Sequence, residues 1–573
     1  MYNTRKALAL PILILLTTVS IPVHYAYGLA TSNKLCIDTY FLAVSDEHEG
    51  LAIPVRVCLR PSHRLSLSIV GAKYDDSVYT SLLITLYTLD NVCGVNVSRY
   101  QVVVEFREHG VEAHGASASL TLAVAILIAL HRLNLTGLWS GSGVLAVDGF
   151  VDAVGGIEAK LRAAVEKNIS LIYVPTLNGF ELRTLRKHFS NVRIVEVTSI
   201  LDICSAEESL SVEEILNRVD RSVLAKLYDA LRNDIKVFRY LIRNVTKHVS
   251  PEIKYRIEKS IANLTRRAEE ALRRGHVYTA ASLVFTAFLR ALTIYYNSSS
   301  IQRKDLELLV QKAKRIVDEV ASRLKTSRYI SVSALPFLIV VLDRINEARY
   351  YADLYMRLQG YRSVFAAVMA YGRALTARSW LKMLAIANES VNGMEVPMEK
   401  ALSSVERVLR WVATAIEWNI SYAPLSLSTL AATRSHLFTL LSTASRVRVI
   451  NSLNRLLALH LRNLDPIQRI VPYLYVTYAR DLGMESEMIS LTSLATLISA
   501  ATRLSEEIML EWEGWSVTPS SSKAQNGVLR SLTLVLSIAI ALCLLATLYI
   551  VEKRLGLPTT LFRSTKLIAT GHG

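Results

Sequence analysis

The sequence predicts an α+β domain, then an all-α bundle or solenoid-like domain, and a single C-terminal transmembrane helix. Three observations carry this. Between residues 35 and 205, short β-branched and apolar runs alternate with helical stretches. From 206 to 516, apolar residues recur at helical spacing nearly throughout. Residues 531–551 form one charge-free apolar run, long enough to cross a hydrocarbon core of about 30 Å as a helix. At 573 residues the chain exceeds what one hydrophobic core ordinarily holds. A composition 51% hydrophobic and 20% charged excludes a mainly disordered chain, and 23 Gly with 13 Pro exclude a collagen-like one.

Taken in order, the first element is a secretory signal over residues 1–28. Arg5 and Lys6 precede an uncharged apolar run from Ala7 to Val23, and the small-residue site Ala26-Tyr27-Gly28 comes after it. An uncleaved N-terminal anchor is the other reading of this run, and under both readings the first domain is exported. In that domain, 35–205, strands are expected at Leu51–Leu59, Leu65–Val70, Val102–Phe106, Val144–Val147, Leu171–Val174 and Val192–Val197. Ser117–Leu133 is apolar almost all round and reads as a buried helix; a second helix comes after Gly155-Gly156 and runs through Val165. Cys36, Cys58, Cys93 and Cys204 all fall in this domain and are even in number, so export allows two disulfides in any of three pairings.

In the second domain, Leu224, Leu227, Tyr228, Leu231, Ile235 and Phe238 trace one helix face, and Leu309, Ala313, Ile316, Val320 and Leu324 another. Breaks are expected near Ser250-Pro251, Ser298–Ser300, Asn392-Gly393, Pro424 and Asp465-Pro466. Residues 517–530 read as a juxtamembrane linker and 531–551 as the membrane helix, with Cys543 an apolar filler inside it. Lys553 and Arg554 directly after the span make 552–573 a cytoplasmic tail and put the bulk of the chain outside the cytoplasm. Eight N-x-S/T acceptors, at Asn96, Asn134, Asn168, Asn244, Asn263, Asn297, Asn388 and Asn419, agree with a glycosylated exterior. The net charge of +16 first suggests nucleic acid. Its spread along exported helices points instead to solvated faces, or to an acidic partner or membrane surface, and no nucleic-acid partner is expected.

The chemistry lies in the first domain, in Gly115-Ala116-Ser117-Ala118-Ser119, Ser142-Gly143, Gly149 and Gly155-Gly156-Ile157-Glu158-Ala159-Lys160. In order and spacing these resemble the proteolytic domain of Lon protease, over most of residues 40–205. The resemblance implies a Ser-Lys dyad, with Ser117 as nucleophile, Lys160 as general base 43 positions later, and Ser142 orienting the lysine. His114, Gly115, Ala116 and Ala118 fall in the substrate and oxyanion region, and a homo-oligomer is implied. The residues themselves fit this chemistry. A serine hydroxyl needs a nearby base, and a lysine serves as one when apolar burial favours its neutral form. Lys160 stands among Val154, Ile157, Ala159, Leu161, Ala163 and Ala164.

Four positions depart from the family pattern. Ala116 replaces a proline, Ser119 a glycine and Val144 a glutamate, and His114 occupies an acidic position. They put oxyanion geometry and substrate preference in question but leave the dyad. His109 and His114 raise a Ser-His alternative for which the sequence offers no evident acidic partner. There is no G-x-x-x-x-G-K-[ST] phosphate loop. The expectation is therefore an ATP-independent, membrane-anchored serine endopeptidase acting on exposed or unfolded polypeptide, similar to archaeal secreted Lon-type proteases, with no cofactor and no metal. The rival is an inactive surface adaptor whose helices bind a partner.

Overall fold

A computed structural model describes residues 35–108, 110–204, 211–247, 249–298, 303–391, 393–414, 424 and 426–511. The expected signal peptide (1–28), linker (517–530), membrane helix (531–551) and tail (552–573) lie outside the described residues, as do His109, Asn419 and Cys543.

Strands β1 (Leu35–Val44) and β2 (Gly50–Pro61) form an antiparallel hairpin in which Cys36 faces Cys58 directly. After β3 (Ser66–Val70) and β4 (Ala72–Tyr74), the chain enters α1 (Asp76–Cys93). This helix is rich in β-branched and hydroxyl residues, and nothing in its sequence singles it out. Its ends are nonetheless well defined: the Asp75 carboxylate accepts from the Ser77 and Val78 N–H groups, and Gly94 closes the helix in the left-handed region. Then come β5 (Tyr100–Phe106), β6 (Val111–Ala113), α2 (Ser119–Ala129), β7 (Trp139–Gly141), β8 (Val144–Leu145) and β9 (Val151–Asp152). α3 (Ile157–Glu166), β10 (Leu171–Pro175), α4 (Gly179–Leu185) and β11 (Arg193–Val197) complete the domain.

One mixed, seven-stranded sheet runs in the order β11-β10-β7-β1-β2-β5-β3. β10 is parallel to β11 and β7, β7 is parallel to β1, and β2 is antiparallel to both β1 and β5. α2 is buried on nearly every face, as its all-round apolar sequence requires. The expected strand at Val144–Val147 is a short hairpin pair, β8 with β9, outside the large sheet.

The second half is helical: α5 (Val212–Leu216), α6 (Arg221–Lys247), α7 (Pro251–Arg273), α8 (Val277–Ser298) and α9 (Arg303–Thr326). A small antiparallel pair, β12 (Tyr329–Ser331) with β13 (Glu395–Pro397), brackets α10 (Leu335–Arg357) and α11 (Gly360–Glu389). The remaining helices are α12 (Met398–Thr414), α13 (Leu427–Thr439), α14 (Thr443–Arg462), α15 (Ile470–Leu482) and α16 (Glu485–Glu511). α8 and α16 are long and apolar enough to span a membrane by composition, yet 61% and 72% of their most apolar windows are buried within the protein, as expected of core helices.

The packing shows no seam at residue 205. Leu437 and Phe438 at the end of α13, Leu441 just after it, and Val449, Leu453 and Leu456 of α14 enter the same hydrophobic core as Val57, Leu82, Leu122 and Ile126 of the first domain. This packing is non-local, so no periodicity in the sequence announces it.

Candidate active site

The strand β6 leads into the Gly115–Ala118 turn, which opens α2. Two hydrogen bonds and one buried side chain fix the turn. The Gly115 N–H donates to Ser77 Oγ at 3.0 Å, Ala116 is fully buried, and the Ser117 carbonyl accepts from the Gly143 N–H at 3.0 Å. Ser117 itself is half-buried. Ser119, where the family pattern has glycine, joins this turn to the next segment. Its hydroxyl lies 2.8 Å from the Ala116 carbonyl and 3.0 Å from the Gly143 carbonyl, and accepts from the Leu145 N–H at 2.8 Å. A side-chain polar link thus occupies a position the family leaves bare.

Ser142 comes immediately after β7. Its N–H donates to the Tyr173 carbonyl at 2.9 Å, while its Oγ is buried and has no hydrogen-bond partner among the described residues. Such a hydroxyl costs about 1–3 kcal/mol unless something pairs with it. From Gly143 the chain runs through the β8–β9 hairpin to Gly155-Gly156. Gly156 adopts φ 67°, and a Cβ there would lie 2.6 Å from Val44 Cγ2, so both the conformation and the space call for glycine. α3 starts directly after it, and Lys160, only 5% exposed, sits in its first turns. The parallel register sets Phe41 beside Gly141, so Ser142 and the Val44–Gly156 contact lie at the same end of the sheet. Gly50 presses on the lysine helix from β2, and the place a Cβ would take there is filled by the Ala159 carbonyl.

His114 is exposed, and its Nδ1 lies 3.2 Å from Asp75 Oδ2. This supplies the acidic partner that the sequence alone does not reveal, from a residue 39 positions away. Burial pulls the Asp75 carboxyl up, but hydrogen bonds from Ser77, Val78 and His114 together hold it below the usual carboxylate range. The four domain cysteines pair as Cys36–Cys58 and Cys93–Cys204. Among the described residues no group of three His, Cys, Asp or Glu is arranged to hold a metal.

Residues 90–207 match the family model of the Lon protease (S16) C-terminal proteolytic domain. The segment is a Lon-type proteolytic domain. The chain is 26% identical over 182 residues to the archaeal Lon protease of Pyrococcus abyssi, covering 31% of this chain and 18% of that protein. It is 27% identical over 161 residues to the archaeal Lon protease of Thermoplasma volcanium, covering 27% and 24%. Lon protease 2 of Bacillus subtilis is 22% identical over 175 residues, covering 28% and 31%. The chain therefore spans less than a third of the length of these relatives. Ser117, Ser142 and Lys160 all lie within the Lon-type segment, as do β5 to β11.

The structure joins Ser117 to Gly143 by one backbone hydrogen bond, and buries Lys160 one hairpin further on. Sequence reasoning marked Ser119 only as a departure from glycine, without its hydrogen bonds, and missed Asp75, because an N-cap aspartate has an ordinary structural use and gives no signal of its own.

Proposed function

We propose that this chain is an ATP-independent serine endopeptidase with a Ser117–Lys160 dyad. The observation that carries the reading is Lys160: a lysine almost wholly withdrawn from water, just after a glycine turn in a Lon-type segment. Withdrawal from water is the setting in which a lysine amine can serve as a general base. The amine takes the Ser117 Oγ proton as Oγ bonds to the scissile carbonyl carbon, giving a tetrahedral oxyanion. Collapse breaks the C–N bond, and the lysine ammonium returns the proton to the leaving amine. Water, deprotonated by the same lysine, then hydrolyses the acyl-serine. Ser142 Oγ is buried and is not hydrogen-bonded to Lys160 in this structure; in this reading it turns to the amine when substrate binds. The Ser119 and Leu120 N–H groups are engaged by the Ala116 and Gly143 carbonyls, so the Ser117 and Ala118 N–H groups at the start of α2 serve as oxyanion donors.

Substrates in this reading are exposed or unfolded polypeptides, because the sequence carries no phosphate-loop motif to drive unfolding. The signal and membrane-helix patterns at the two ends support a membrane-anchored enzyme with its bulk outside the cytoplasm. A second reading rests on the His114–Asp75 contact, with His114 rather than Lys160 as base. The test is cleavage of unfolded casein without ATP by the full chain and by Ser117→Ala, Lys160→Met and His114→Ala variants. Loss with the first two and retention with the third supports the dyad. Equal cleavage by all four, or loss only with His114→Ala and Ser117→Ala, removes it.

A further inference from the structure

The hairpin that joins Ser142 to the lysine helix is held from outside the Lon-type segment. Arg434, on α13, is fully buried and makes two paired contacts. Its Nη1 and Nη2 donate to the Asp148 carboxylate at 2.6 and 3.0 Å, and its Nε and Nη2 to the Asp152 carboxylate at 2.7 and 2.9 Å. The guanidinium carbon stands 4.4 Å over the Phe150 ring, between the two aspartates in sequence. A second grip comes from α14, where His460 Nε2 donates to the Asp148 carbonyl at 3.0 Å.

These contacts enclose the link between the two site residues. Asp148 lies in the turn of the β8–β9 hairpin and Asp152 ends β9, and residues 143–156 are the covalent connection from Ser142 to α3. On its other side the hairpin is tied within the Lon-type segment: Val151 N–H to the Thr198 carbonyl at 2.9 Å, and Val154 to the Asn178 side chain at 3.1 and 2.9 Å. Without Arg434, two carboxylates would face each other in dry surroundings, where burial and Asp148 already push the Asp152 carboxyl up. The hairpin would have to open towards water, and its exit, Gly155-Gly156, carries Lys160.

We propose that Arg434 is a positioning residue for the Ser117–Lys160 dyad, and that the helical half is thereby a working part of the catalytic site rather than an appended recruiter. The inference rests on the dyad reading for its kinetic consequence, while its structural consequence stands apart from it. Arg434 acts through Asp148 and Asp152 on the placement of α3 and does not touch the reacting atoms.

The test uses the full chain in detergent, with wild type, Arg434→Lys, Asp152→Asn and the triple variant Arg434→Met/Asp148→Asn/Asp152→Asn, which leaves the cluster uncharged. Amide hydrogen exchange of residues 153–162 is measured beside kcat and KM on a flexible peptide. The expected result is a folded triple variant with faster exchange across 153–162, kcat down about tenfold or more, and KM within about twofold, because a misplaced base slows chemistry rather than binding. Arg434→Lys should recover part of the loss. Asp152→Asn keeps the bidentate Arg434–Asp148 pair and decides the matter if the Arg434 variants do not fold; it should show the same two changes, smaller. Wild-type exchange and kcat in a folded triple variant, or in Asp152→Asn, overturn the proposal. If wild type fails to cleave at all, the dyad reading is lost, and the exchange data alone judge whether Arg434 holds the lysine helix.

Discussion

Replacing Gly50 with alanine drives a methyl group into the backbone of the lysine helix. A Cβ at residue 50 would lie 1.9 Å from the Ala159 carbonyl oxygen, 2.5 Å from its carbon and 3.2 Å from Ala163 Cβ. A carbon–oxygen contact relaxes to about 3.3 Å, so β2 and α3 must separate by roughly 1.4 Å at the residue next to Lys160. Overpacking of this kind costs about 1–3 kcal/mol of stability. Misplacing a catalytic group by about 1 Å lowers turnover by up to about a hundredfold. Gly50→Ala should therefore lose stability by that amount in a denaturant melt, and lose about a hundredfold in kcat at nearly unchanged KM on a flexible peptide. Gly94→Ala is the control: it imposes a left-handed backbone, but nothing lies within 4 Å of its Cβ. It should cost about 1 kcal/mol and leave kcat alone. Full activity in Gly50→Ala, with Gly94→Ala equally stable, would refute the argument that β2 sets the position of α3.

Removing the unpartnered Ser142 hydroxyl by Ser142→Ala should lower kcat about tenfold, the value of one hydrogen bond in the transition state, with no loss of melting temperature; a clear drop in stability would show that the hydroxyl has a structural partner. The Cys93–Cys204 bridge spans 111 positions and Cys36–Cys58 spans 22, so chain entropy gives about 5 and 3 kcal/mol. Paired serine replacements should destabilise in that order in urea, and the reverse order would contradict it. Burial, reinforced by Arg503, pushes His460 down to about 4, while burial pushes the Asp90 carboxyl up to about 6. Between about 4 and 6.5 the unfolded chain takes up a His460 proton that the folded chain lacks, so this group stabilises above that window and the benefit is lost as pH falls, by up to about 3 kcal/mol. Asp90 has the opposite sign: the folded chain keeps a proton that the unfolded chain releases, and stability is lost as pH rises towards 6. Relative to wild type, the stability of His460→Gln should shift in favour of the low-pH end of this range and that of Asp90→Asn in favour of the high-pH end, as read by chemical melts from about pH 4 to 6.5.

Much of the first domain is legible in the sequence because its strands are β-branched runs bounded by turn residues; Leu171–Pro175 and Arg193–Val197 fall within a residue of their expected places. α1 is not, since Thr, Tyr, Val and Ile in its sequence favour strands, and only the Asp75 cap and packing against α2 settle it as a helix. β7 is three residues long and pairs on both sides, a placement that tertiary contacts decide. The helix breaks at Ser250-Pro251 and Asp465-Pro466 arise from proline and capping chemistry and lie between described helices. For the site, the spacing from Ser117 to Lys160 is visible, because glycines and small residues mark turns locally. Arg434 is invisible: it lies 286 positions from Asp148, one of many arginines on helices, and only the fold brings its guanidinium to two aspartates.

The most direct measurement is reaction of the full chain with a serine-directed fluorophosphonate, with mass mapping of the modified peptide. A working dyad predicts modification at Ser117 in wild type and its loss in Lys160→Met, whose apolar side chain fills a similar volume without a base. Modification elsewhere, or equal modification of Ser117 with and without the lysine amine, would contradict it.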